Sequence, residues 1–313
     1  MALVASTAIP PAPANAASGK IVLRAGTAGG ESYRLALELA QTLAVAPKGR
    51  LVFSVAATGG AAANAADAAG RSGLIFISMP SAIREALHGE MAMPARHPSG
   101  GIRALFPLPF RAIHWIVRAD SGVARLADLA GRPFIAGKNG SLGAIETAAA
   151  LKLARLAEPV RAIADRGDAP ALALEEAIGF AEAAAFPEPG LAALAERMTL
   201  RLLSLPHRDL GALLAADSDL VAMVIPAETY HGIDADATTV AMPVGVYATR
   251  DVSADEAYRL TKAFWDNKRA LELRDPRWAA VTPEALSALG AKPHQGASRY
   301  YTANGVSLAP PWR

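Results

Sequence analysis

The sequence predicts an α/β protein with two lobes, joined by two long strands, and a ligand cleft between the lobes. Short apolar runs alternate with helical patterns in two successive series, and this alternation is typical of parallel sheets with crossover helices. A long strand pattern at 113–119 opens the second series, and another at 238–251 returns the chain. We therefore expect both chain ends in the first lobe and a ligand site between the lobes.

The first series contains three strand–helix pairs. Its strands are predicted at IVLRA (21–25), LVFSVAA (51–57) and LIFIS (74–78). The helix after the first strand has Leu35, Leu39 and Leu43 on one face, and helices over 61–70 and 81–90 follow the other strands. Continuously apolar strands such as LIFIS suit a sheet that is covered on both faces.

The second series is less regular. It predicts a short helix at SGVARLADLAG (121–131), a strand at PFIAG (133–137), a long helix at 144–157 and strands around 181–186, 200–205 and 220–226. After the second long strand, Ser253 and Glu256 form a capping-box start for a helix over 253–273. Thr282, Pro283 and Gly290 are the N-cap, first residue and stop of a last helix.

These elements predict the domain boundaries. The first lobe is expected over 20–114 and 245–313, and the second lobe over 115–244. Residues 1–19 are rich in alanine and proline, and Ala14-Asn15-Ala16 fits an A-x-A cleavage site, but no charge precedes Lys20. This segment is either a disordered tail or, as we favour, the remainder of an export signal. The second reading predicts a mature chain in the periplasm.

The composition excludes several classes of protein. Of the 313 residues, 52% are hydrophobic and 19% are charged, the mean hydropathy is +0.23 and the formal net charge is +2. Much of the apolar share is alanine, and no run looks able to span a bilayer. Without basic runs, nucleic acid is not an expected partner. The chain has no cysteine, and its six histidines lack metal-binding spacing, so no metal or other cofactor is predicted.

Three glycine loops each follow a predicted strand and open a helix. They are GTAGGESY (26–33), ATGGAAAN (57–64) and GKNGSLG (137–143). Such loops place backbone N–H groups and the positive end of a helix dipole at the carboxyl edge of a sheet, which suits an anion. Neither the P-loop pattern nor the GxGxxG spacing with its acidic residue is present, which argues against a nucleotide. The glycines of any one loop could be turn residues only, but three such loops favour a small carboxylate.

The sequence resembles the TAXI family of TRAP-transporter solute-binding proteins over nearly the whole chain after Lys20. The motifs that carry the resemblance occur in the family's order. They are GTAGGESY, ATGGAAAN, LIFISMPSAIREALHGE, IHWIVRADSGVARLADLAGRPFIAGKNGSLG, TTVAMPVGVYATRDVSADEAYRLTKAFW and HQGASRYYTANG.

The resemblance implies a periplasmic-binding-protein-like fold of type II. The protein would close on a small organic acid, a dicarboxylate, amino acid or keto acid, and deliver it to the membrane subunits of a TRAP permease driven by an ion gradient. The resemblance implies no catalysis and no cofactor, and we expect a monomer. A second hypothesis is a sensory or partner-binding module with the same fold and a degenerate pocket. An enzyme is disfavoured because no catalytic pattern accompanies the loops.

The sequence departs from the family at several ligand-facing positions. Glu31 and Ser32 stand where the family has threonine and a first tyrosine, and Ser78-Met79-Pro80 replaces glutamine, a small residue and aspartate. The family's GSGT reads Gly140-Ser141-Leu142-Gly143 here. With these polar groups lost, the identity of the ligand is undecided. The ligand is either a less polar acid, or the pocket no longer binds one.

The matching loops supply the candidate ligand-binding residues. They are Thr27, Gly29, Gly30 and Tyr33 in the first loop, Thr58, Gly59, Gly60 and Asn64 in the second, Ser78 at a strand end, and Lys138, Asn139, Ser141, Leu142 and Phe186 from the second lobe. No catalytic residue is predicted.

Several charged and aromatic side chains keep two interpretations each. Lys138 either pairs with a ligand carboxylate or lies exposed on the rim. Arg111 and Arg118 either bind a carboxylate bidentately or form hinge ion pairs. Glu31 either faces away from an anionic ligand or receives an ammonium group.

Aromatic residues in strands more often belong to the core than to a ligand site, and the residues of the C-terminal motif are expected to have a structural role. Trp115 and Phe186 line the cleft or belong to the core. His294, Arg299, Tyr300 and Tyr301 are expected to tie the C-terminus to the first lobe.

Overall fold

The computed structural model describes residues 21–46, 50–88, 101–137, 141–162, 172 and 176–308. Its architecture is mixed α/β with two sheets, which confirms the predicted class. The first sheet has the order β2-β1-β3-β12-β4. Its strands, numbered along the chain, are β1 (Val22–Arg24), β2 (Ser54–Ala56), β3 (Ile75–Ser78), β4 (Ile102–Pro107) and β12 (Gly245–Thr249). β12 runs antiparallel to both of its neighbours, whereas β1 is parallel to β2 and β3.

The second sheet has the order β10-β11-β5-β8-β6-β7, and β9 also pairs with β5. Its strands are β5 (Arg111–Arg118), β6 (Pro133–Ile135), β7 (Arg161–Ala162), β8 (Gly179–Ala184), β9 (Leu200–Leu202), β10 (Val221–Ile225) and β11 (Ala237–Met242). β5 pairs with three strands, β8, β9 and β11, and six of its eight residues are buried.

The helices with described bounds surround these sheets. They are α1 (Glu31–Ala44), α2 (Ala61–Gly70), α3 (Pro80–His88), α4 (Leu142–Leu153), α5 (Pro189–Ala195), α6 (His207–Ala216), α7 (Ala254–Asp266), α8 (Lys268–Arg274) and α9 (Gln295–Ala303). α2 packs on α3, α9 packs on α7, and α1 contacts α7 and α8. Within the part of the chain that the structure describes, no helix combines the length and apolarity needed to cross a bilayer.

The chain passes between the sheets at two adjacent points. The first lies at 108–110, between β4 and β5, and the second at 243–244, between β11 and β12. The Leu108 N–H donates to the carbonyl of Val244 at 2.9 Å, so the two crossings are bonded to each other. Strands of the first sheet thus come from 22–107 and 245–249, and those of the second sheet from 111–242.

The prediction of one long strand over 238–251 is wrong, because β11 and β12 lie in different sheets. Pro243 stands between them and has no backbone N–H, so it cannot donate a hydrogen bond within a ladder. Only the separate sheets reveal the break, since the apolar pattern runs through it.

Some predicted helices also differ. In place of the short helix predicted over 121–131 there are two 3₁₀ helices, at 119–121 and 126–129, and the helix predicted over 282–290 is a 3₁₀ helix at 283–289. The helix predicted over 253–273 is divided into α7 and α8 at Asn267, whose side-chain amide donates to the Ala263 carbonyl at 2.9 Å. Its predicted N-cap is confirmed, since Ser253 Oγ accepts from the Glu256 N–H at 3.1 Å.

Candidate functional site at the junction of the two sheets

The first glycine loop bonds to itself and to the second loop. Gly29 has φ of +77°, a conformation that L side chains rarely adopt. The Gly30 N–H donates to the carbonyl of Thr27 at 2.9 Å, and a Cβ on Gly30 would lie 2.8 Å from Thr27 Oγ1. The Thr58 N–H donates to the Gly26 carbonyl at 2.9 Å, which joins the two loops. The Gly30 N–H is therefore engaged within its own loop.

The second loop is anchored by a buried amide. Gly60, with φ of +105°, precedes α2, and its N–H donates to Thr58 Oγ1 at 3.3 Å. Asn64 is fully buried, and its Nδ2 donates to the carbonyls of Arg24 at 3.2 Å, Ala25 at 2.8 Å and Ile77 at 2.9 Å. This side chain thus holds the ends of β1 and β3 together, and its N–H groups face backbone carbonyls.

Two further candidates, Ser78 and Ser141, also have structural partners. Ser78 is buried, and its hydroxyl donates to the Ala61 carbonyl at 3.0 Å. Ser141 caps α4, its Oγ accepting from the Ala144 N–H at 3.2 Å. Leu142 is the first residue of α4, and Lys138 and Asn139 lie outside the described residues.

The aromatic candidates, Tyr33 and Phe186, are half-buried and pack against the larger of two core clusters. Phe186 precedes a cis proline and meets His114 edge-on at 6.4 Å between ring centroids. Phe186 also lines a cavity of about 60 Å³ between the sheets, together with Phe110, Met223 and Val281. Trp115, by contrast, is fully buried, and its indole N–H donates to Thr147 Oγ1 at 2.9 Å, so it belongs to the core.

Glu31 contacts residues of both parts of the fold. Its Oε2 accepts from Arg111 Nε at 2.9 Å, and its Oε1 accepts from the Ala185 N–H at 3.1 Å. Arg111 begins β5, and Ala185 directly follows β8, so both lie at the ends of strands of the second sheet. Arg277 Nη1 lies 3.8 Å from Oε1, and the Glu31 side chain is only 11% exposed. Of the two interpretations of Arg111, the structure has the ion pair across the junction.

Arg277 is the centre of a buried charge network beside Glu31. Its side chain is 6% exposed and bonds to Asp275, and its Nη2 donates to Glu38 Oε1 at 3.2 Å. Burial raises the pKa of Glu38. Burial alone would also raise the pKa of Asp275, but hydrogen bonds from Arg277 hold that pKa below its usual value. The charge of Arg277 is thus shared among the carboxylates of Asp275 and Glu38.

A histidine–tyrosine pair supports the segment that bonds Glu31. His114 is buried, with Nδ1 3.1 Å from the Ala112 carbonyl and Nε2 2.9 Å from the Tyr230 hydroxyl. The hydroxyl also accepts from the Glu188 N–H at 2.9 Å. Burial lowers the pKa of His114 to about 4. The ring is therefore neutral at pH 7, with the proton on Nδ1 and Nε2 accepting from the tyrosine.

A second ion pair joins the parts of the fold at another cavity. Arg84 of α3 bonds to Asp219, which precedes β10. Both line a cavity of about 500 Å³. The Asp219 Oδ2 is buried and has no hydrogen-bond partner among the residues that the structure describes. Arg118, the other arginine of β5, bonds to Asp120 through Nε and Nη2 at 3.0 Å each, near the end of its own strand.

Sequence reasoning missed Arg277, His114 and Tyr230 as parts of this site. They lie on different elements, and no motif connects them. The single signal was Glu31 itself, an acidic residue in a loop expected to receive an anion.

Residues 23–305 match the model of the NMT1-like family. No curated protein matches the sequence. Among solved structures, the chain is similar to a TctC solute-binding protein from Polaromonas without ligand, with a TM-score of 0.54 and 14% identity over 91% of this chain and 97% of that one. It is also similar to MatC from Rhodopseudomonas palustris with bound malate, with a TM-score of 0.50 and 12% identity over 90% and 95% of the two chains. These likenesses show the fold, which is that of solute-binding proteins.

Proposed function

The chain belongs to the NMT1-like family, and from this premise we propose that it is an extracytoplasmic solute-binding protein that captures a small organic acid between two lobes. The lobes are built on the two sheets, with boundaries at the crossings 108–110 and 243–244. The observation that carries the proposal is the pair of adjacent crossings, because two short connections side by side form a hinge about which lobes can close on a ligand.

The geometry of the junction supports an acid as ligand. A carboxylate, that of Glu31, is already held there by an arginine and a backbone N–H of the second sheet. Charge-assisted hydrogen bonds of this kind are the stronger ones in proteins. The glycine loops that begin α1 and α2 add helix N-termini at the carboxyl ends of β1 and β2, where negative charge is favoured.

We propose further that the protein works in the periplasm as the monomeric receptor of a TRAP-type transporter of the TAXI family. In that role the closed, loaded form delivers its acid to the membrane subunits of the permease. This finer assignment rests on the ordered motifs of the sequence, and on the A-x-A pattern at Ala14-Asn15-Ala16, which fits the cleavage site of an export signal.

The test is a thermal-shift screen of the chain from residue 20 with monocarboxylates, dicarboxylates, amino acids and keto acids. A binding acid at 100 times its Kd stabilises the folded chain by about 2.7 kcal/mol, which raises the melting temperature. We expect at least one acid to do so, and Gly60→Val to abolish the shift, because Gly60 requires a positive φ. Absence of any shift across the panel contradicts ligand capture.

A sensory or partner-binding role is the second candidate, favoured by one observation. Gly30, Asn64, Ser78 and Ser141 each use a polar group on the protein itself. A pocket with so few free groups could have lost its ligand and kept its fold. A permease gene beside this one favours transport, whereas a sensor kinase gene in its place favours signalling.

A further inference from the structure

The carboxylate of Glu31 occupies a binding site that both lobes build. Each of its oxygens accepts one hydrogen bond from a residue at a strand end of the second sheet, Oε2 from Arg111 Nε at 2.9 Å and Oε1 from the Ala185 N–H at 3.1 Å. From the first lobe, Arg277 Nη1 approaches Oε1 to 3.8 Å. The side chain is 11% exposed, so this is a nearly closed site for one carboxylate.

An apolar cavity adjoins this site. Its volume is about 60 Å³, and its lining includes Ala185 and Arg277, the two residues that meet Glu31 Oε1. The rest of the lining is hydrophobic and includes Phe110, Phe186 and Met223. The cavity is larger than one water molecule needs, so it has room for a short hydrocarbon chain. A carboxylate site next to an apolar cavity matches a small molecule with one acidic and one apolar end.

We propose that Glu31 is a built-in occupant of a ligand site, and that a monocarboxylic acid with a short apolar chain displaces it. The ligand's carboxylate takes the hydrogen bonds of Arg111 and the Ala185 N–H, and its chain fills the cavity. This inference rests on the proposed function, since the lobes must open for the exchange. It narrows the ligand class to monocarboxylates.

A second acidic group on the ligand is disfavoured by the charges at the cavity. Among the described residues that line the cavity, Arg277 is the single cation, and this guanidinium already bonds to Asp275 and Glu38. A dicarboxylate would place its second charge against hydrophobic side chains, where an unpaired charge is costly.

The exchange leaves Glu31 in a favourable place. Glu31 is the first residue of α1, and a carboxylate there interacts favourably with the positive end of the helix dipole. Released from Arg111, it can turn to solvent at the helix start without becoming a buried unpaired charge. Without ligand, its bonds to Arg111 and Ala185 hold the lobes together.

Chemical rescue tests this arrangement. Glu31→Ala removes the occupant, and we expect it to melt at a lower temperature and to open the lobes. Propanoate or 3-methylbutanoate should restore the melting temperature, with an affinity at least about tenfold above that for the unaltered chain, because an intramolecular competitor is gone. Succinate and sodium chloride at equal ionic strength should not restore it. Opening is measured by spin labels on cysteines placed at the exposed Thr302 and Ala215, since the chain has no cysteine of its own.

The controls separate a ligand site from a plain ion pair. Glu272→Ala removes a carboxylate that bonds to Lys268 and Arg269 within α8, and monocarboxylates should not rescue it. Glu31→Gln fills the site with a neutral side chain of the same shape and should also resist rescue. The double variant Glu31→Ala with Arg111→Gln lacks the guanidinium that would bind the ligand's carboxylate. It should bind propanoate at least about tenfold more weakly than Glu31→Ala alone.

Rescue of Glu31→Ala no better than that of Glu272→Ala overturns the inference. If Glu31→Ala does not fold, the single variant Arg111→Gln tests the inference instead. An affinity of Arg111→Gln for the acid found in the screen that equals that of the unaltered chain also overturns the inference. If an acid binds the unaltered chain and every Arg111 variant with the same affinity, the ligand does not bind at this site, but the proposed function still holds. No response of any variant to any acid contradicts the proposed function itself.

Discussion

His114 Nε2 lies 2.9 Å from the hydroxyl of Tyr230, a residue 116 positions further along the chain. This contact joins β5 to the segment after β10, and the Glu188 N–H bonds to the same hydroxyl. The pair thus supports the start of α5 and the segment just before it, which includes Ala185, whose N–H donates to Glu31. A neutral histidine is needed here, because a protonated Nε2 could not accept from the tyrosine.

This pair predicts a loss of stability in mild acid. The pKa of His114 is lowered from 6.5 to about 4 by burial, so between these values the unfolded chain binds a proton that the folded chain does not. The free energy of unfolding therefore falls as the pH drops from 6.5 towards 4, by at most about 3 kcal/mol for this group. Urea unfolding at pH 7, 6 and 5 measures this slope.

Substitution isolates the histidine's share of that slope. His114→Gln should be less stable at pH 7 and should lose less stability between pH 7 and pH 5 than the unaltered chain. The exposed His207 provides the control, because His207→Gln should follow the unaltered chain at every pH. Parallel curves for the unaltered chain and His114→Gln would show that His114 does not titrate in this range. Part of the slope will persist in either case, since burial also lowers the pKa of His294.

Asn64 is predicted to be a determinant of stability. Its Nδ2 donates to three backbone carbonyls in the interior, and Asn64→Ala would leave these acceptors without that donor. We expect the free energy of unfolding to fall by about 3 kcal/mol. Asn304→Ala is the matched control, because Asn304 is exposed and its side chain donates to the Tyr300 carbonyl at the end of its own helix. It should cost less than about 1 kcal/mol. An equal loss in the free energy of unfolding for the two variants would contradict a structural role of Asn64.

Gly296 is predicted to tolerate no side chain. A Cβ there would lie 2.1 Å from the Ala254 carbonyl oxygen and 2.6 Å from the Tyr258 nitrogen, where α9 packs on α7. Gly296→Ala should therefore destabilise the protein by at least about 2 kcal/mol. Gly211 lies in α6, and no atom of the described residues lies within 4 Å of its Cβ position, so Gly211→Ala should raise stability by about 0.5–1 kcal/mol. Thermal unfolding of both variants gives the comparison, and a stable Gly296→Ala would contradict the close packing of these helices.

This packing accounts for the C-terminal signature. The His294 N–H donates to the Ala104 carbonyl at 2.8 Å, and the Tyr301 hydroxyl donates to the Leu105 carbonyl at 3.0 Å. Both contacts tie the C-terminus to β4 of the first sheet, as the sequence predicts for these residues.

Local patterns located most elements but not their neighbours. The predicted helix over 61–70 coincides with α2, because helical periodicity and an opening glycine are properties of adjacent residues. The strand predicted over 238–251 was wrong for the opposite reason. Whether β12 continues β11 or joins another sheet depends on partners far along the chain, such as Ile75–Ser78 of β3.

The candidate site shows the same division. The loops were identified from their glycines, and Gly29 and Gly60 indeed have positive φ. The orientation of Glu31 stayed open, because its partner Arg111 is 80 residues away and no pattern connects the two. The buried bonds of Asn64 and Ser78 were equally invisible, since polar residues at strand ends look the same whether they face a ligand or a carbonyl.

By itself the sequence determined the α/β class, the glycine turns at the helix starts and the absence of cysteine chemistry, since these depend on residue types and on spacing along the chain. Only the tertiary structure decided that Glu31 is held by Arg111 and the Ala185 N–H, and that Arg277 is shared among carboxylates. Both follow from distances between segments that folding brings together across the two sheets, and hydrogen bonds and charges act over those distances, not over positions in the sequence.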